Sequence, residues 1–141
     1  MKILVDTNVI LDLLLDSREP FHEMAVRALK LTATHRMTCC ITASQATDIF
    51  YCLRKAVGKQ VARESLEGVF ALCEVIDTTA ASCVRALGSQ MDDFEDAVQA
   101  FSAYEHGCDL LLTRNTRDFQ DGPIRVMEPV DFISDFSDGA V

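Results

Sequence analysis

A chain of 141 residues has room for one domain, and a core of that size buries about two-thirds of the surface that the unfolded chain exposes. Hydrophobic residues at 49% and charged residues at 25% are the balance of an ordinary globular protein, which excludes collagen-like, coiled-coil and disordered classes. Against 22 Asp and Glu there are 13 Lys and Arg, and the resulting net charge of −9 opposes tight, sequence-independent capture of a polyphosphate while leaving acids for a hard divalent cation.

No apolar run approaches the roughly 18–20 residues that span a bilayer, and residues 3–5 lead straight to a carboxylate without the apolar stretch of a signal peptide. The expectation is a cytoplasmic protein with no membrane association. In that compartment the six cysteines read as reduced core residues. No C-x-x-C pair exists, and His22, His35 and His106 do not fall at zinc-ligand spacing with any of them.

Residues 2–5 form a short apolar run with branched side chains, a buried strand that ends at Asp6. A Leu-rich stretch over 10–15 predicts a short helix, and Pro20 opens a second one over 21–35. A strand follows over 37–41. Thr42 and Gln45 have the spacing of a capping box, so a helix starts there and carries the apolar stripe Ala46, Ile49, Phe50, Leu53 and Val57 to a stop at Gly58. Helix 59–72, strand 73–76 and helix 79–87 come next, then a helix from the acidic segment 92–96 through Tyr104. The run 110–112 is apolar throughout, as in a strand buried on both faces. Residues 124–127 give a last strand, and Pro129 starts a terminal helix. Strands alternating with helices predict a three-layer α/β/α domain over residues 1–135, with a mostly parallel central sheet of about five strands. The end, 136–141, is expected to be disordered.

Open parallel sheets bind ligands beyond the carboxyl ends of their strands. Asp6 follows the first strand, and Asn115 and Asp118 lie just past 110–112, at the same end of the sheet. Asp93 and Asp96 stand three apart at a helix start, where their side chains are neighbours. Each acid taken alone is more often a turn or cap residue than a ligand. Gathered in one cleft they repel one another unless a cation lies between them. Serine-hydrolase, P-loop and dinucleotide motifs are absent, and a phosphoaspartyl enzyme would need an acid where Asn8 stands.

The segments 6–12 (DTNVILD), 93–97 (DFEDA) and 113–119 (TRNTRDF) resemble those of the PIN-domain nucleases, in order and over nearly the whole chain, and most of all the bacterial branch that includes the VapC-type toxins. The resemblance implies Asp6, Asp96 and Asp118 as ligands of Mg²⁺ or Mn²⁺, Thr7 and Asn115 as supporting polar groups, and Asp93 as a helper. The family's second acid, usually Glu, corresponds to Asp48, one methylene shorter and on the side of its helix away from the apolar stripe. Also implied are metal-assisted hydrolysis of RNA, a small antitoxin partner and a homodimer, for which the helix around Phe50, Tyr51 and Leu53 offers a surface. Arg114 and Arg117 flank the site as phosphate contacts. Arg54, Lys55, Lys59 and Arg63 form a run without acids that reads as a solvated face, and ten aromatics without Trp give no evident base-stacking platform. The competing reading is a PIN-like scaffold that binds RNA or a partner protein without cleaving; a phosphoacceptor domain has less support.

Overall fold

The computed structural model describes residues 1–137. Twelve regular elements alternate along them: β1 (Lys2–Val5), α1 (Thr7–Leu14), α2 (Phe21–Thr34), β2 (Thr38–Thr42), α3 (Ala43–Val57), α4 (Lys59–Leu72), β3 (Glu74–Ile76), α5 (Ala80–Leu87), α6 (Phe94–Glu105), β4 (Leu110–Leu112), β5 (Val126–Met127) and α7 (Pro129–Phe136). Short 3₁₀ turns occupy Asp16–Arg18 and Thr116–Phe119.

The sheet has the order β3-β2-β1-β4-β5, and all four pairings are parallel. Strand alternation sends Ile3, Val5, Cys39, Ile41, Leu110 and Leu112 to one face, where residues of α1, α2, α3, α4 and α7 cover them. Leu4, Cys40, Ile76 and Leu111 point to the other face, against α5, α6 and Phe119. The result is the expected α/β/α sandwich with two cores. Its winding reverses at β1: the chain runs outward through β2 and β3 on one side and returns to place β4 and β5 on the other. Val5 and Leu112 are register partners, so the segments leaving β1 and β4 start side by side.

Local chemistry explains the element ends. The Thr42 hydroxyl accepts from the Gln45 backbone at 3.1 Å and the Gln45 carboxamide accepts from the Thr42 N–H at 2.8 Å, closing the capping box that starts α3. Gly58, at φ 86°, breaks α3 from α4 in a conformation that L side chains rarely adopt. Helix α1 begins earlier than its apolar pattern suggested, directly after Asp6, whose carbonyl accepts from Val9 and Ile10. The last strand is shorter than the predicted 124–127: its pairing with β4 begins where Arg125 O accepts from Leu111 N–H. Of the end expected to be disordered, Phe136 closes α7 with its ring 4.7 Å from that of Phe132; residues 138–141 lie outside the described residues. No helix among the described residues is long and apolar enough to cross a membrane. All six cysteines are free thiols.

Candidate metal centre and cleft

Asp6 is the deepest acid at the carboxyl end of the sheet, 5% exposed. It sits at the N-cap position of α1 but does not cap it, so its carboxylate is free of that role. Two side chains orient it instead: Gln99 Nε2 donates to Oδ1 at 3.1 Å, and Thr113 Oγ1 donates to Oδ2 at 2.8 Å. Thr113 in turn accepts from the Asn115 backbone at 3.0 Å, which folds the loop after β4 over the end of β1. Burial pushes the Asp6 carboxyl above its ordinary range, and these donors, with the Arg114 charge, oppose that rise without cancelling it. Gln45, already in the capping box, spans to β1 and donates to Val5 O at 2.8 Å and Thr7 Oγ1 at 3.3 Å.

A cleft of about 650 Å³ opens beside Asp6, with Thr7, Asp48, Asp96 and Gln99 among its lining residues. The structure therefore brings Asp48 to the same cleft as Asp6 and Asp96. Asp48 is exposed, as its position away from the buried Ile49 and Leu53 requires, and the exposed side is the one that borders the cleft. Asp96 has its carboxyl raised to about 7, first by burial and then by the charges of Asp93, Asp6, Asp118 and Glu95. Asp93 caps α6, accepting from the Asp96 backbone at 2.8 Å, so the cap reading holds for it while its charge still acts on Asp96. Asp118 lies exposed on the second 3₁₀ turn with Arg117 before it, and reaches Asp96 through its charge.

Two expectations meet other partners. The Arg114 guanidinium is engaged inside the protein: Nε donates to Asp12 Oδ2 at 2.7 Å, Nη2 to Asp12 Oδ1 at 3.3 Å, and the group lies 3.9 Å from the centre of the Phe21 ring. Arg18 Nη1 also donates to this carboxylate, at 3.2 Å. Asp12 is 1% exposed, and a charge so buried requires such partners; the phosphate role expected of Arg114 has this competitor. The dimer surface expected around Phe50, Tyr51 and Leu53 needs correction, since Leu53 is fully buried and Phe50 packs against the same core, leaving only Tyr51 outside.

Sequence reasoning missed Gln99, Thr113, Gln45 and Asp12. Gln99 carried a signal, a polar residue set among Ala97, Val98, Ala100 and Phe101.

A two-sided α/β domain with its polar cleft at the sheet's switch point and acids on its walls defines a class of ligand-binding and hydrolytic folds. The chain belongs to the PIN domain family, whose model matches residues 2–117. Solved structures with the same fold include VapBC2 from Rickettsia felis bound to a DNA fragment from their promoter (TM-score 0.71, 18% identity, covering 91% of this chain and 98% of that one). DNA-bound VapBC from Salmonella typhimurium is similar (TM-score 0.70, 21% identity, 92% and 98% covered). So is VapC20 from Mycobacterium tuberculosis, described as a toxin that cleaves the sarcin-ricin loop (TM-score 0.62, 19% identity, 77% and 86% covered). No curated protein matches the chain in sequence.

The donor set agrees in kind with the divalent cation that the family implies: hard carboxylate oxygens, with burial first and mutual repulsion second raising the Asp96 carboxyl. Among the described residues no three acidic, His or Cys side chains are gathered tightly enough to hold a metal alone. Mg²⁺ does not need such a cage, because it keeps several waters and binds through one or two carboxylates together with substrate phosphate.

Proposed function

We propose that this chain is an endoribonuclease dependent on Mg²⁺ or Mn²⁺, and the toxin of a type II toxin–antitoxin pair. The observation that carries the reading is the meeting of Asp6, buried and free of any capping role, with Asp48 and Asp96 on one cleft of a PIN domain. Asp6 and Asp96 are the ligands, with Asp118 completing the acidic rim. A cation held there supplies Lewis-acid polarisation of a phosphodiester and acidification of a water.

The chain's own residues do the rest. Gln99 and Thr113 fix both oxygens of Asp6, leaving its outer lone pairs for a ligand. Asp48, exposed on the cleft wall, is placed to orient an attacking water and accept its proton. Asn115 and Thr7 hold the two loops that carry the acids, through Thr113 and Gln45. VapBC complexes among the similar folds support an antitoxin partner for this chain, and the RNA-cleaving toxin among them supports RNA as substrate. A homodimer and a cytoplasmic location complete the proposal.

The test is cleavage of structured and single-stranded RNAs by purified protein with Mg²⁺, with Mn²⁺ and with EDTA, beside Asp6→Asn and Asp96→Asn. Metal-dependent cleavage lost in both variants is the expected result. Cleavage unchanged in both shows a contaminant and removes the reading. One observation favours a non-catalytic scaffold that binds RNA or a protein, namely the absence of a gathered three-ligand group among the described residues; such a scaffold gains no thermal stability from either metal.

A further inference from the structure

Helix α3 leaves the cleft along one stripe. Tyr51 and Cys52 stand three and four residues after Asp48, and Lys55 stands four and three after them, so the four share a side of the helix. Asp48, Tyr51 and Cys52 line the cleft. Tyr51 is 61% exposed, a large ring left in water beside the acids, and the Lys55 ammonium stands 4.8 Å from its centre. Phe94, the first residue of α6 and two before Asp96, is 48% exposed and lines the same cleft. From Asp48 to Lys55 the helix rises about 10 Å, so a single stretch of strand spans acid, ring and cation. Beyond Lys55 the positive run goes on through Lys59 and Arg63 without an acid, on a chain whose net charge is −9. Neither ring is needed by the core, and neither is explained by phosphate chemistry.

We infer that Tyr51 and Phe94 form a stacking subsite for an unpaired nucleobase next to the phosphate held at the acidic centre, with Lys55 taking the adjoining phosphate. Aromatic faces accept any base whose plane is free, and a duplex offers none, so this subsite selects single strands, loops and ends over paired RNA. The aromatic platform that composition did not suggest is thus drawn from two helices that border one cleft. The inference rests on the nucleic-acid reading of the cleft, but not on catalysis.

The experiment titrates a short single-stranded oligoribonucleotide carrying 2-aminopurine with the full chain in Ca²⁺, a hard cation for the same carboxylates and a weaker Lewis acid than Mg²⁺, and electrophoresis of the probe afterwards verifies that binding is read without cleavage. The expected result is quenching of the fluorescent base, with affinity kept in Tyr51→Phe and lowered roughly 5- to 100-fold in Tyr51→Leu and in Phe94→Leu. Lys55→Gln weakens binding and reduces the slope of log affinity against log salt by about 0.7. The same oligonucleotide annealed to its complement binds more weakly and without quenching. Both aromatic side chains are about half exposed or more, and matching melting temperatures confirm that the variants fold. Equal affinity in Tyr51→Leu, equal binding of the duplex, or no binding of the probe overturns the inference. So does loss of binding to a basic protein partner in Tyr51→Leu with RNA affinity intact, which would make the patch a protein interface. Quenching by a chain that cleaves nothing in Mg²⁺ or Mn²⁺ sinks the nuclease reading alone, and cleavage with an unchanged KM in Tyr51→Leu sinks the subsite alone.

Discussion

Replacing Asp96 with Asn takes one charge out of a group of acids that repel each other, and its effect on stability has the opposite sign to that of most substitutions. In the folded chain Asp96 keeps its proton up to about pH 7, because burial and then Asp93, Asp6, Asp118 and Glu95 penalise the charged form; its ordinary value is 3.8. Between these values the folded state binds more protons than the unfolded one, so stability falls as pH rises from about 4 to 7 and stays reduced above. The gap corresponds to about 4 kcal/mol without solvent, and water around a half-buried carboxylate brings it down to about 1–2 kcal/mol. Asp96→Asn therefore melts about 3–6 °C above the wild type at pH 8 in EDTA, and the difference shrinks as pH falls toward 4. Urea and thermal melts of both proteins from pH 5 to 8 measure it. A variant less stable than the wild type at pH 8, or a difference that does not change with pH, would refute the electrostatic account of the cleft.

In the wild type at pH 8, Mg²⁺ at about a hundred times its dissociation constant adds about 2.7 kcal/mol of stability, a gain that calorimetry finds abolished in Asp6→Asn. Thr113→Val removes the 2.8 Å donor to Asp6 at nearly constant shape; the Asp6 carboxyl rises further, and the pH profile of cleavage moves upward as metal binding weakens, at a cost of about 1–2 kcal/mol. Asp12→Ala leaves Arg18 and Arg114 without their buried acceptor and destabilises by about 2–4 kcal/mol in urea unfolding; a loss below about 0.5 kcal/mol would show that the pair is not needed. Gly58→Ala costs about 1 kcal/mol, because φ 86° suits glycine alone.

Strands and helix starts that depend on neighbours in sequence were open to reading in advance. The runs at 2–5 and 110–112, and the Thr42–Gln45 box, rest on hydrophobic pattern and a three-residue hydrogen bond, so they need no knowledge of the rest of the chain. The site's supports are another matter. Gln99 and Thr113 reach Asp6 across 93 and 107 residues of chain, and no local signal encodes such a contact. Asp12 looked like a polar interruption of a Leu-rich helix; its burial becomes sensible only when two arginines arrive, one of them from beyond β4. For Asp48 the wheel was read correctly as an exposed position. A cleft wall is itself exposed, and only the packing of α3 beside α1 and β2 shows that this side faces the acids.

The place of β1 in the middle of the sheet gives the protein a timetable. More than a hundred residues separate it from its second neighbour, β4, and the pairs Ile3–Leu110 and Val5–Leu112 form only after that whole stretch has been made. A nascent chain that stops short of Thr113 carries Asp6, Asp48 and Asp96 but lacks the hydroxyl that fixes Asp6 and the loop that bears Asp118. The acidic cleft is thereby kept unfinished until the stretch that carries Thr113 and Asp118 has been made and β4 has paired with β1.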